Sequence, residues 1–483
     1  MRNWNHFPYS AAEEVYVNPQ SSEAGLTGLK WDGDNDVAYS TLQNAIDTIT
    51  DHTALEIYLA NHEGDGLIKG AGSIAMADWD GHEIHAYVNG TNYYNSYARQ
   101  PLIFDGTIHP GGDFSATGGQ LITFESNTSI PAAAEECFLT QPELVTLTNG
   151  GDTLLTEQAS IAAVEANPGS WWIDVGSAPD KLYVSLPDSA TDYFTNGGAV
   201  ALQTNGVAQT ISVAFGNILI IENCTIWGKI LCQFGGLIVL YNCDSWFSND
   251  SGIRISSGGT LTGEDIRIHH AYTDGLSLHG GRCNIKNLLV NKVGTGVIDQ
   301  CLTLHEKAAA TIEGAILNDA SAEVVAIVGG STLNLKDFVV SGGTKGIRID
   351  DESGGHIRDG LIHTCTTGFS LDPRSGAVPY FNYNHRVDLR NVGFGNNTTD
   401  ISASATSSTT VTLNDCSYKT VDGANTNFTV INSPKDIAKA KSFNKATQSK
   451  DNGNLTIFEP DGTTEMGTFT FTETESDITR DFA

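Results

Sequence analysis

Positive charge is what this chain has least of. Its 26 Lys and Arg are outnumbered by 57 Asp and Glu, leaving a formal net charge of −31 over 483 residues. A nucleic-acid surface needs a basic footprint, so nucleic acid is excluded as a partner. The same field repels an acidic polysaccharide unless local Arg or Ca²⁺ compensates. Long apolar runs are missing as well. No segment is long and apolar enough to span a membrane, so membrane insertion is not expected. The opening "MRNWNHFPYSAAEEV" lacks the apolar run of a secretory signal. No CxxC pair suggests zinc, and no local motif announces a catalyst. The expectation is synthesis and folding in a reducing cytoplasm, with lysis or a particle as the route to any role outside the cell.

What is present is a repeat. Nine times the chain spells two small residues, an alternating apolar stretch, and Asn, Asp or Gly before another apolar residue, at a spacing close to two dozen residues. The turn position falls on Asn223, Asn242, Asp265, Asn287, Gly314, Asp337, Asp359, Asn391 and Asp415. A fixed period with β alternation inside it marks a solenoid, whose coils stack only on their neighbours. Alternate side chains point inward and build the core. Asn, Asp and Gly tolerate the left-handed backbone of a sharp bend, and stacked Asn side chains can bond along the axis. A second register runs in phase: "GIRIS", "GLSLH", "CLTLH", "VVAIV", "GIRID" and "GFSLD". A β-sandwich of evenly spaced strands is the competing architecture, but it does not need matched residues at one phase of a coil. Cys224, Cys243 and Cys416 each follow a turn residue, so the eight cysteines read as small apolar column residues rather than a disulfide framework.

The organisation expected is all-β. Residues 1–70 form an N-terminal segment and cap, with a short helix over "STLQNAIDTI" N-capped by Ser40. Such a cap covers the open end of a solenoid. Residues 71–198 are irregular β structure with a hairpin at "GSWWIDVGSAPDKLYVSLPDS". Regular coils fill 199–432. Residues 433–483 are a linker and a small hairpin tail about Pro460-Asp461-Gly462.

The "YVNP…YSTLQNAIDTI" cap, the "WWID…DKLYVSLPD" hairpin and the coil phrases together resemble the pectin-lyase-like right-handed parallel β-helices. The resemblance covers most of residues 11–430. It implies a fold more than an activity, since the family includes polysaccharide lyases, glycoside hydrolases, epimerases and bacteriophage tailspikes. The tail "LTIFEPDGTTEMGTFTF" is similar to short C-terminal segments of phage tail and baseplate proteins. The resemblance therefore implies a tailspike or receptor-binding protein of the virion, a homotrimer docked through phage tail or adaptor proteins, with a host surface polysaccharide as partner. The large N-terminal particle-binding domain common among tailspikes is not in this sequence. A free extracellular lyase or hydrolase and a non-catalytic adhesive β-helix remain the alternatives.

Candidate chemistry comes from the second register. Its outward residues form one column of Arg254, Ser277, Thr303, Ala326, Arg348 and Ser370, and another of Ser256, His279, His305, Val328, Asp350 and Asp372. Adjacent coils lie about 4.8 Å apart, so Asp350 and Asp372 are expected roughly 5 Å apart, near the separation of a retaining glycosidase pair. Glu306, with Asp351 and Glu352, could supply the wider inverting spacing. Crowding would keep one acid protonated. A turn-forming Asp is the plainer reading. His279 or His305 could instead act as a lyase base, with Arg254 or Arg348 neutralising a uronate. Hydrolysis is the favoured of the two chemistries. The insertion bearing Arg374, Tyr380, Phe381 and Tyr383 offers a stacking wall for sugar, or a packing loop. No cofactor is expected; Ca²⁺ at Asp32, Asp34 and Asp36 of "DGDND" is a minority option, because the loop lacks the Gly and closing Glu of an EF-hand.

Overall fold

The computed structural model describes residues 153–176, 180–187, 199–203, 211–222, 225–246, 248, 250–291, 299–350, 353–372, 386–403 and 410–422, together with the outlying strands named below. The expected N-terminal helix, the "DGDND" loop and Cys224 lie outside the described residues. The chain is a right-handed parallel β-helix in two compact units, Met1–Asp299 and Gln300–Ala483.

The bend predicted in each phrase is real and has a backbone cause. Asn242, Asp265, Asn287, Asp337, Asp359, Asn391 and Asp415 all have φ between 49° and 59°, and Gly314 has 75°. In most coils the bend sits at the sixth place of a ten-residue strand such as Leu237–Trp246, Thr260–His269 or Thr332–Ser341. It drops out of the strand pairing, so Tyr241 pairs with Glu264 and Cys243 with Ile266. The insertion flips the alternation. Places two and four face inward before the bend, and places seven and nine after it, as with Leu333, Leu335, Phe338 and Val340. Turn side chains also bond along the axis: Asn287 Nδ2 donates to Asp265 Oδ1 at 2.9 Å, and Asn391 Nδ2 to Asp359 Oδ1 at 3.1 Å.

In the first unit the long-strand sheet runs in parallel through Glu13–Val17, Leu55–Ala60, Glu83–Asn89, Ile218–Glu222, Leu237–Trp246, Thr260–His269 and Arg282–Asn291. The short-strand sheet stacks Ile74–Met76, Ile211–Val213, Ile230–Cys232, Ile253–Ser256 and Leu276–His279. The expected hairpin is Ser170–Asp174 against Lys181–Ser185, with Trp172 and Tyr183 rings stacked 5.8 Å apart. Its inner face, Trp171, Leu182 and Val184, joins Cys137, Val200 and Leu202 in one buried cluster. A short helix, Ile161–Ala166, is N-capped by Ser160, which accepts from the Ala163 N–H.

In the second unit the long strands are Ala309–Asn318, Thr332–Ser341, Gly354–His363, Arg386–Gly395, Thr410–Asn414 and Phe428–Ile431. The short strands are Leu302–His305, Glu323–Ile327, Lys345–Asp350, Thr367–Asp372, Thr399–Ala403 and Val421–Asp422. Core columns balance volume between coils. Phe338 is held between Ala315 and Gly360 at place seven, and a Cβ on Gly360 would collide with the Phe338 ring. The tail is larger than the expected hairpin. Asn454–Phe458 and Glu465–Thr474 pair, and Ala446–Gln448 and Asp477–Asp481 extend them to a four-stranded antiparallel sheet; Pro460, Asp461 and Gly462 lie outside the described residues.

Cys243 and Cys416 occupy the same inward place and are buried, as the column reading requires. Seven described cysteines are buried. Among the described residues no helix is long and apolar enough to cross a membrane.

Candidate functional site

The short-strand register places the candidate carboxylates as the alternation predicts. In the second unit Arg348 pairs with Ala326 on one side and Ser370 on the other, and Asp350 pairs with Asp372. The two carboxylates nevertheless take different partners. Asp350 is 4% exposed, and its Oδ2 accepts the Gly329 N–H at 2.9 Å. Asp372 is half-buried and accepts from the Lys345 ammonium and the Ser370 hydroxyl, with Arg348 Nε 3.3 Å away. Arg348 reaches back through Nη1 to Glu323 at 3.2 Å, and Glu323 also accepts from Gln300 at 2.9 Å. The wall is thus a chain of alternating charges: Glu323, Arg348, Asp372, Lys345.

That chain sets the state of Asp372. Burial alone would raise the Asp372 carboxyl. The Lys345 and Ser370 hydrogen bonds and the charges of Lys345 and Arg348 outweigh it and hold Asp372 below the usual carboxylate range. Asp372 is therefore held as an ionised hydrogen-bond acceptor. Glu323, which completes the network, was missed because it stands at the start of its strand, outside the columns followed through "VVAIV".

The remaining candidates fall in different places. Glu306 is an exposed turn residue with φ 58°, followed by Lys307 at 64°. His305 is partly exposed at the end of its strand in the second unit. Arg254 and His279 belong to the first unit, where Arg254 lies 3.8 Å from Asp250 and His279 Nε2 lies 3.1 Å from Ser277 Oγ. Arg374, Tyr380, Phe381 and Tyr383 lie outside the described residues, as do Asp351 and Glu352. Among the described residues no cluster of three or more His, Cys, Asp or Glu is placed to hold a metal ion.

A second feature was not anticipated. On the long-strand wall of the second unit lies an open groove of about 490 Å³. It is lined by the outward places three and five of successive coils, which stack in register as Thr311, Asn334, His356, Asp388, Thr412 and as Glu313, Lys336, Arg358, Arg390, Asn414. Four coil steps of about 4.8 Å make it about 19 Å long, parallel to the stacking axis. Arg386 Nε pairs with Asp388 at 2.7 Å, and His356 Nδ1 stands 3.1 Å from the same carboxylate. Lys336 pairs with Glu313 and, at 3.2 Å, with Asp337. The signal was available in "TIE", "NLK", "HIR" and "DLR", read at alternate residues of the long phrase rather than the short one.

No protein-family model matches the chain, and no curated protein matches it. Among solved structures the chain is similar to XylC in complex with xylose, at 11% identity and a TM-score of 0.42 over 94% of this chain and 73% of that one. The catalytic domain of a GH87 α-1,3-glucanase in complex with nigerose aligns at 10% identity and 0.28, covering 89% and 70%. The tailspike protein gp49 from Pseudomonas phage LKA1 aligns at 11% and 0.17, covering 78% and 72%. Likenesses this distant say nothing of activity.

Proposed function

We propose that the chain is a polysaccharide-recognising β-helix of the phage tailspike type, which binds a linear host-surface glycan along the long-strand wall of its second unit. The axial groove carries this reading: a repeating wall presents the same two outward places at every coil, and a linear polymer presents the same groups at every sugar. A homotrimer docked through other tail proteins completes the proposal. It draws on the phage-like tail segment, which folds as its own antiparallel sheet.

Recognition without turnover is the form best supported on the short-strand wall. Asp350 is buried and accepts the Gly329 N–H, and Asp372 is engaged by Lys345, Ser370 and Arg348, so both carboxylates serve the wall itself. Cleavage at Asp350, Asp372 or Glu306 remains the second reading, with Arg348 beside the reacting sugar.

Affinity electrophoresis in gels containing surface polysaccharides of candidate hosts tests the first reading. The protein is expected to be retarded, and Asn334→Trp, which fills the groove without altering its charge, to run freely. Retardation that survives Asn334→Trp puts the glycan elsewhere. New reducing ends released by the parent and lost in a folded Asp372→Asn protein would establish the second reading.

A further inference from the structure

We infer that the groove takes an acidic glycan, with uronate carboxylates or sulfates seated on a ladder of Lys336, Arg358 and Arg390. This rests on the groove being the glycan site. The three cations stand in register on consecutive coils. Like charges directly opposite on neighbouring strands are destabilising, so folding alone gives no reason to stack them. Lys336 is answered by Glu313 and Asp337 and Arg386 by Asp388, but Arg358 and Arg390 have no ion-pair or hydrogen-bond partner among the described residues. Asp359, next to Arg358 in sequence, accepts from Asn391 instead, and Asp388, two residues before Arg390, pairs with Arg386.

The setting sharpens the point. In a chain with 57 acidic and 26 basic residues, this groove holds four Lys or Arg against two acids. The charge of the lining is therefore opposite in sign to the net charge of the chain, with Asp337 and Asp359 bordering it. That is the compensation an acidic polymer needs to approach this protein at all. The lining contains no Trp, Tyr or Phe. The one ring in the lining, the His356 imidazole, stands 3.1 Å from the Asp388 carboxylate, so a neutral sugar or a nucleic-acid base finds no indole, phenol or phenyl face to stack on there. Two unanswered arginines on neighbouring strands about 4.8 Å apart match a polymer that carries charge at close intervals, and each guanidinium can grip a carboxylate or sulfate through two N–H groups.

The test is titration calorimetry of the full chain with polygalacturonate and dextran sulfate as acidic probes, dextran as the neutral probe and a poly-dT oligonucleotide as a non-glycan polyanion, at low and high salt. Parent, Arg358→Gln/Arg390→Gln and Arg358→Glu/Arg390→Glu proteins are compared, with thermal unfolding as the check on folding. The expected result is salt-sensitive binding of at least one acidic glycan, weakened about tenfold or more per charge removed. Dextran and poly-dT should bind weakly and equally to all three proteins. Equal affinity for dextran and the acidic probes, or unchanged affinity in the Glu variant, overturns the ladder while leaving glycan recognition standing. Poly-dT bound as tightly as the acidic glycans overturns the glycan class. Binding to none of the polymers, with no retardation by host polysaccharide either, sinks the recognition reading itself.

Discussion

The two walls of the second unit are built by the same rule and end in opposite states. On the short-strand wall Arg348 and Lys345 both face acids: Arg348 pairs with Glu323 at 3.2 Å and with Asp372 at 3.3 Å, though its Nε makes no hydrogen bond, and Lys345 bonds to Asp372. On the long-strand wall Arg358 and Arg390 stand in register with each other and are exposed. A coil lattice brings any two residues at one phase to about 4.8 Å, whatever they are. Juxtaposition on such a wall is therefore weak evidence for chemistry, and the state of the partners decides. A saturated ladder holds coils together; an unsaturated one is addressed to something outside the chain. The Asp350/Asp372 pair shows the first outcome and the arginine ladder the second.

The largest effect is expected at an ion pair buried more deeply than Arg348 and Asp372. In the first unit Asp244 pairs with Arg267 on the outward face, with side chains 15% and 11% exposed. Burial pushes the Asp244 carboxyl up to about 6, against the pull of Arg267. An unfolded Asp titrates near 3.9, so the folded protein binds the extra proton between the two values. This group therefore favours the fold below about pH 4, and that contribution is lost as pH rises through about 6. Urea unfolding of parent and Asp244→Asn should show the variant gaining about 3 kcal/mol on the parent between about pH 4 and pH 7. A constant difference would mean that Arg267 fully offsets the burial.

Asp372 should respond with the opposite sign. Its folded value is depressed, so its contribution is present above the unfolded value and fades as pH falls below about 4. Asp372→Asn leaves Lys345 and Arg348 half-buried with one anion fewer. The cost is expected to be about 2 kcal/mol near neutral pH, less than for a fully buried pair. Glycan binding in the groove should not change. A variant that keeps its stability but loses binding would exchange the roles assigned to the two walls.

How much of this was legible depends on what each feature answers to. The bends were readable because a left-handed backbone admits few residues, and Asn242, Asp265 and Gly314 announce it directly. The coil period was readable because every repeat solves the same packing problem. The pairing of Asp350 with Asp372 followed from alternation alone. Their partners did not. Lys345 is five residues before Asp350 in the same strand, yet its long side chain reaches Asp372 on the neighbouring strand. The Phe338–Gly360 fit was hidden for a related reason: it joins residues a coil apart whose volumes matter only together. The basic groove was legible in principle, since its residues follow the same alternation on the longer phrase.

A control for both walls perturbs the bend between strand limbs without touching either ladder. Asn391 has φ 52° and donates to Asp359 at 3.1 Å. Asn391→Ala places a Cβ residue with no local hydrogen bond in a left-handed conformation, and about 1.5 kcal/mol of stability should be lost in urea unfolding. Asn391→Gly should lose clearly less. Equal losses would assign the stability to the Asn–Asp bond rather than to the backbone.

The smallest effect separates the walls most sharply. If Arg358 is present for a ligand, its removal should relieve repulsion from Lys336 and Arg390 rather than break a contact. Arg358→Gln is then expected to be neutral or stabilising by about 0.3 kcal/mol, rising at low salt where screening is weakest. The same change weakens acidic-glycan binding by about tenfold, so stability and affinity move in opposite directions. A residue serving the fold would move them together, as Lys345 should when it leaves Asp372. Natural chains keep destabilising groups where function needs them. A fall of more than about 1 kcal/mol in the stability of Arg358→Gln would therefore return this arginine to the scaffold, and the ladder argument would fail with it.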